Sequence, residues 1–131
     1  LGVAFQIQDD VLNLVGEERV YGKEIGGDIE EGKRTLILIH LLKTCSEVEQ
    51  ERLTHIMDKP RGEKTADDIQ HILELAKLYG SIAYAQQRAK SLADKAHQAF
   101  QHRFAHLGDS AAREAKSVFS NLIRFIIERK H

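Results

Sequence analysis

Residues 6–13 read Gln-Ile-Gln-Asp-Asp-Val-Leu-Asn, and this stretch of the 131-residue chain indicates both fold and function. At roughly 100° per residue in an α-helix, one arc about 100° wide collects the polar side chains: Gln6, Asp9, Asp10 and Asn13. Apolar residues point to the opposite side: Ala4, Ile7, Val11, Leu14 and Val15, extended by Phe5 and Leu12. The stretch predicts a helix that buries its apolar face and aims one polar stripe at a cavity.

A glycine-rich segment follows this helix. Five of the nine glycines of the chain lie between positions 16 and 32: Gly16, Gly22, Gly26, Gly27 and Gly32. Glycine allows positive φ and close approach of the backbone to a ligand, and backbone N–H groups in such turns form anion-binding concavities. Lys23 and Lys33 add point charges suited to phosphate.

Each part also has a plain structural interpretation. The aspartate pair could be solvated charge on an ordinary amphipathic helix, and the loop could be a mobile surface connection with incidental charges. The combination favours a different hypothesis, a site for a Mg²⁺-complexed diphosphate. Mg²⁺ is typically bound by one or two carboxylates together with water and phosphate oxygens, so two adjacent aspartates suffice if the diphosphate supplies other ligands.

The order and spacing of these residues resemble a known family. Gln-Ile-Gln-Asp-Asp-x-x-Asn, then Gly-Lys, then Gly-Asp-x-x-x-Gly-Lys-x-Thr is similar to the second aspartate-rich region of the trans-isoprenyl diphosphate synthases. The resemblance is dense over residues 2–35 and continues to residue 131 only as a compatible run of helices. It implies an all-α fold, the C-terminal half of an isoprenoid-synthase-type helical bundle. It also implies Mg²⁺-dependent condensation of an allylic diphosphate with isopentenyl diphosphate.

The resemblance also implies a role for individual residues. Asp9 and Asp10 match the acids that bind Mg²⁺ on the allylic diphosphate, and Gln6 matches a glutamine that lines the site. Lys23 matches the lysine that contacts the allylic diphosphate; Asp28 and Lys33 match the aspartate and second lysine of the flap-like loop. Catalysis is expected to depend on Asp9, Asp10 and Lys23, and substrate binding on Gln6, Lys23, Asp28 and Lys33. Asn13 departs from the usual motif, which ends in a third aspartate.

The family's first aspartate-rich motif has no counterpart in the sequence. Asp67-Asp68 is the only other Asp-Asp pair, and with Thr65 it is typical of a helix N-terminus. We therefore expect residues 1–131 to be one portion of a helical domain, the C-terminal part of a polyprenyl synthase, inactive by itself. The alternative is a non-catalytic helical subunit with a regulatory or structural role in a prenyl synthase.

Composition restricts the remaining possibilities. The formal charge of −1 gives no basic field for nucleic acid. The longest apolar stretch, around residues 36–42, is interrupted by His40 and falls far short of the ~20 residues of a membrane span. Cys45 is the only cysteine, which excludes an intrachain disulfide and favours a cytoplasmic location. We expect a homodimer, or association with a missing N-terminal half.

The rest of the sequence predicts successive helices, over residues 35–45, 46–58, 67–79, 81–106 and 110–129. Ser46-Glu-Val-Glu49 is typical of a capping box, and Lys59-Pro-Arg-Gly62 of a turn. His102 and His106 have a spacing that can chelate zinc, but no accompanying Glu or Cys supports it, which favours surface histidines. Residues 129–131 form a basic end with two alternatives, a solvated tail or, by resemblance, a cover over the isopentenyl diphosphate site. Residues 17–33 are expected to be poorly held without a ligand.

Overall fold

The structure, a computed structural model, describes residues 1–16, 26–105 and 110–128, and the side chains of residues 1–16, 26–105 and 113–125. All regular structure in these ranges is helical. The helices are α1 (Gly2–Val15), α2 (Gly27–Glu30), α3 (Leu36–Thr44), α4 (Glu47–Asp58), α5 (Ala66–Leu78), α6 (Ser81–Arg103) and α7 (Ser110–Glu128). The all-α prediction is confirmed.

Local capping sets three of the helix starts. The Thr35 hydroxyl accepts a hydrogen bond from the Leu38 amide at the start of α3. Ser46 forms the predicted capping box with Glu49, and Thr65 forms one with Asp68. Each box satisfies backbone N–H groups that a helix otherwise leaves unpaired, which explains why these boundaries were predictable from sequence.

Helix α6 is the central packing element of the bundle. It contacts α1 most extensively and also packs against α3, α5 and α7. Its contact face is made of small residues, with Ala85, Ala89 and Ala93 buried, so that neighbouring helices approach closely. The main core joins it to the other helices through fully or nearly fully buried aliphatic side chains: Val11, Ile29, Ile37, Leu41, Leu53 and Ile72. Helix α1, which carries the predicted polar stripe, is thereby fixed to the centre of the bundle.

Several apolar residues are exposed, among them Phe5 and Val15 of the predicted apolar face of α1. The set comprises Phe5, Val15, Ile39, Leu78, Val118, Leu122 and Phe125, with exposed fractions of 38% or more. Among the α7 side chains that the structure describes, residues 113–125, only Ile123 is buried, in a small cluster with Ala4 and Ala93. Helical periodicity identifies an apolar stripe, but only the positions of neighbouring helices decide how much of it is covered.

The glycine-rich segment is partly regular. Residues 26–33 contain α2, a single helical turn that the sequence did not predict, and we call these residues the α2 turn. The turn is packed on its neighbours and not loose as expected, whereas residues 17–25 lie outside the described residues. No helix within the described ranges combines the length and apolar character needed to cross a bilayer.

Candidate diphosphate site

The polar stripe of α1 forms one side of the candidate site. Asp9 and Asp10 are half-buried, and Gln6 is exposed, with its side-chain amide 3.5 Å from Asp10 Oδ1. The pKa of Asp10 is raised from its ordinary value, mainly by burial, and further by Asp28 and Asp9. Gln6 and Lys33 oppose this shift in pKa. Asp10 therefore lies in a concentration of negative charge that a cation would relieve.

The α2 turn forms the opposite side of the site. Ile29, fully buried, anchors it in the main core, and the Lys33 amide donates to the Asp28 carbonyl at 2.9 Å. Gly26 adopts φ 82°, and a Cβ there would lie 2.7 Å from Ile69 Cγ2 on α5. The positive φ favours glycine, and any other residue would also have to displace the Ile69 side chain, which explains one of the closely spaced glycines of the sequence.

Asn13 joins the two sides. Its side-chain Oδ1 accepts a hydrogen bond from the Asp28 amide at 3.0 Å, and its backbone carbonyl accepts one from the Gly26 amide at 2.9 Å. The residue is buried, 6% exposed. The residue at the third position of the aspartate motif thus uses its side-chain oxygen to hold the α2 turn against α1.

Lys33 is held by acids of its own turn. Its ammonium lies 2.6 Å from Asp28 Oδ1 and 3.0 Å from Glu31 Oε2. Hydrogen bonds to Asp28 and then Glu31 raise the pKa of Lys33 well above its ordinary value, so this side chain stays charged. The Asp28 side chain is only 12% exposed, whereas that of Lys33 is 53% exposed. Asp28 thus orients a lysine that remains accessible to an anion.

The structure brings five of the six predicted site residues into one electrostatic neighbourhood: Gln6, Asp9, Asp10, Asp28 and Lys33. The sixth, Lys23, lies outside the described residues. Among the side chains that the structure describes, no group of three or more His, Cys, Asp or Glu is arranged to hold a metal ion. A cation at Asp9 and Asp10 would accordingly need oxygen ligands from its partner anion, as a Mg²⁺–diphosphate complex provides.

Lys64 also holds the α2 turn, through the Glu30 carbonyl, and the sequence analysis did not predict it. It is 7% exposed, and its ammonium donates to the Glu30 carbonyl at 3.2 Å and the Lys59 carbonyl at 2.5 Å. The Glu30 carbonyl is 34 residues away in sequence, so no local spacing indicated this contact.

Asp68, Tyr79 and Tyr84 have structural contacts outside the candidate site. Asp68 belongs to the Thr65 capping box and pairs with Lys59 at 2.7 Å, as expected for a helix N-terminus. Tyr79 donates to Glu49 Oε2 at 2.6 Å, and Tyr84 stacks on His40. His102 is exposed near the end of α6, while His106 and residues 129–131 lie outside the described residues.

Comparison with known proteins gives the family. The Polyprenyl synthetase family profile matches residues 1–103, which include the whole of the site described above. The chain belongs to the polyprenyl synthetase family. The profile match extends well beyond residues 2–35, where the sequence resemblance was dense.

Individual relatives agree with this assignment. The chain is 37% identical over all 131 residues to the short chain isoprenyl diphosphate synthase of Methanothermobacter thermautotrophicus, covering 37% of that protein. It is 46% identical over 87 residues to the corresponding synthase of Methanocaldococcus jannaschii, covering 65% of this chain and 25% of the relative. The crystal structure of a geranylgeranyl pyrophosphate synthetase from Pyrococcus horikoshii superposes with a TM-score of 0.79 at 37% identity, over 97% of this chain and 36% of that one. The relatives that match this chain from end to end are about three times as long, so the chain spans about a third of their length. The superposition confirms the predicted isoprenoid-synthase fold.

Proposed function

We propose that this chain provides the allylic-diphosphate site of a trans-isoprenyl diphosphate synthase, as the C-terminal part that carries the second aspartate-rich motif. The proposed reaction transfers the allylic prenyl group to isopentenyl diphosphate and releases diphosphate. The observation that carries the proposal is the position of Asp10, half-buried beside Asp9 and within electrostatic reach of Asp28 and Lys33. A site for an anion bound through a divalent cation requires both signs of charge at close range.

The acids of α1 are assigned to the cation. Asp9 and Asp10 would hold Mg²⁺ by their carboxylates, and Gln6 would orient Asp10 through its side-chain amide. When bound, Mg²⁺ neutralises charge that develops on the departing diphosphate. The donor set fits this ion, because carboxylate oxygens are its preferred protein ligands, and a cation would offset the burial that chiefly raises the pKa of Asp10 and the smaller repulsion from Asp28 and Asp9.

The lysines are assigned to the diphosphate oxygens. Lys33 presents a charged and accessible ammonium, and Asp28 holds it in place. Lys23 is assigned a second contact with the same diphosphate on the basis of the family resemblance. Preorganised cations of this kind stabilise the negative charge that grows as the allylic bond breaks, which is a large contribution to catalysis when water is excluded.

The wider assignments follow from the family. Allylic diphosphate and isopentenyl diphosphate are the proposed substrates, and Mg²⁺ is the proposed cofactor. We also propose a homodimer, or association with an N-terminal half, in the cytoplasm.

The test uses a chimera in which these 131 residues replace the matching segment of the Methanothermobacter synthase. Labelled isopentenyl diphosphate, an allylic primer and Mg²⁺ are supplied to the chimera and, separately, to the 131-residue chain. We expect Mg²⁺-dependent product from the chimera and none from the chain alone, because the chemistry of the family uses two facing aspartate-rich motifs. A folded chimera without activity would favour the non-catalytic subunit instead, and product from the chain alone would refute the assignment of the chain as one half of the site.

A further inference from the structure

The ammonium of Lys64 is buried with no carboxylate partner among the described residues. Lys64 lies in the connection between α4 and α5, and only 7% of it is exposed. Burial of a charged group is costly unless hydrogen bonds replace its hydration. The chain contains many exposed lysines, so the burial of this one requires a compensating arrangement.

Backbone carbonyls at two helix ends provide that arrangement. Glu30 is the last residue of α2 and Lys59 is the C-cap of α4, and the carbonyl oxygens of both accept hydrogen bonds from Lys64 Nζ. The last carbonyls of a helix lack partners within the helix and carry the negative end of its dipole. One ammonium therefore satisfies two helix ends and ties α2 to α4.

The attachment lies next to Gly32, the residue that precedes Lys33. Gly32 adopts φ 73°, and a Cβ there would lie 3.7 Å from Lys64 Nζ and 3.3 Å from the Met57 carbonyl. Asn13 holds the opposite end of the same turn at the Asp28 amide. The turn that presents Asp28 and Lys33 is thus held by Asn13 on α1 and by Lys64, in addition to the buried side chain of Ile29 and the exposed ion pairs of Arg61 with Glu30 and Glu31.

We propose that Lys64 is a positioning residue for the diphosphate site: its ammonium sets the orientation of the α2 turn and, through that turn, of Asp28 and Lys33. The effect on catalysis rests on the proposed function, whereas the effect of Lys64 on the orientation of the α2 turn does not. Lys64 acts through the turn and has no assigned contact with substrate.

The first test measures the turn itself by hydrogen exchange in the 131-residue chain. Lys64→Met keeps most of the aliphatic stem and removes the ammonium, and Lys90→Met is the matched control at an exposed position of α6. We expect the amides of residues 30–33 to exchange ~10-fold faster in Lys64→Met, with α1 and α6 unchanged and the control like the unaltered chain. Unchanged exchange in the turn, or equal acceleration in every helix, would overturn the proposal.

The second test measures catalysis by the chimera with the same variants. We expect Lys64→Met to raise KM for the allylic diphosphate by ~10-fold or more, with KM for isopentenyl diphosphate little changed, a split that general destabilisation would not produce. Faster exchange in the turn with unchanged allylic kinetics would show that Lys64 holds the turn and overturn its role in positioning the diphosphate site. The proposed function itself fails only if the unaltered chimera is inactive, so the two failures are distinguishable. If Lys64→Met does not fold, Lys64→Gln, which retains N–H donors, replaces it with the same expected direction in both measurements.

Discussion

Two pairs of adjacent aspartates have opposite surroundings in this chain. Asp68, in the pair on α5, accepts hydrogen bonds from Lys59 and from the Thr65 amide, which lower its pKa to about 2. Asp10, in the pair on α1, has a raised pKa because it is partly buried and faces Asp28 and Asp9. The charged form of Asp68 is stabilised by groups of the protein itself, whereas the charged form of Asp10 would be stabilised by a bound cation.

The difference shows that an Asp-Asp dipeptide by itself does not indicate a metal or substrate site. An Asp-Asp pair in the first turn of a helix is favoured by the helix dipole and by capping, whatever the protein does. Asp9 and Asp10 lie in the second half of α1, where the helix dipole does not favour acidic side chains, and the charges of Asp28 and Lys33 in the α2 turn act on Asp10. Helix stability therefore does not explain the presence of this pair.

Neutralising the α1 pair should remove activity without removing the fold. In the chimera, Asp10→Asn or Asp9→Asn is expected to lower kcat/KM by ~10²–10³, since each removes a charged ligand where leaving-group charge is balanced. Thermal stability of Asp10→Asn should not fall, because the raised pKa of Asp10 means that its charged form is disfavoured in the folded state. Asp67→Asn is the matched control from the other pair, and equal damage from it would place the site on the wrong helix.

Replacing the accessible lysine of the α2 turn should have a smaller effect. Lys33→Ala is expected to lower kcat/KM of the chimera by about tenfold, because one charge-assisted contact to phosphate is lost. Lys23→Ala should cost more, since the charge of Lys33 is already shared with Asp28 and Glu31. Steady-state kinetics with allylic substrate would measure both, and Lys43→Ala is the control on α3. An unchanged KM and kcat for Lys33→Ala would remove Lys33 from the site.

Neutralising the α5 pair should affect stability and its pH dependence. The pKa of Asp68, about 2, lies below the ordinary value of 3.8, so its ionised form stabilises the fold above about pH 4, and that contribution is lost as the pH falls toward 2. Asp68→Asn is therefore expected to lower Tm by about a few degrees at pH 7, with the difference disappearing near pH 2. Melting curves over this range provide the measurement, and a pH-independent difference would contradict the ion pair with Lys59.

Adding a third acid to the α1 motif should change activity least. Asn13→Asp keeps an oxygen that accepts the Asp28 amide, so kcat/KM of the chimera is expected to stay within about threefold. The added charge should raise the pKa of Asp10 further, which carboxyl NMR titration would detect. Asn13→Leu removes the acceptor and is the contrasting variant. Equal kinetics for Asp and Leu at position 13 would show that the hydrogen bond to the turn is unimportant.

Local rules predicted most of the helices. The capping boxes at Ser46 and Thr65 join residues three apart, and the apolar stripe of α1 repeats every three or four residues, so neighbouring positions carry the signal. The same proximity made Gln6, Asp9 and Asp10 recognisable as one polar face. The α2 turn was missed because glycine and aspartate have low helix propensity, and tertiary packing of Ile29 overrides it.

The all-α fold, the starts of the helices from α3 onward, the family and the residues that compose the candidate site were therefore predictable from the sequence alone. Only the tertiary structure decided how those residues meet: Asn13 holds the Asp28 amide across 15 positions, and Lys64 holds the Glu30 carbonyl across 34. The physical reason is range. Capping and periodicity act within one or two helical turns and leave a signal in the sequence, whereas contacts between distant segments depend on the packing of the whole core around α6 and leave no local pattern.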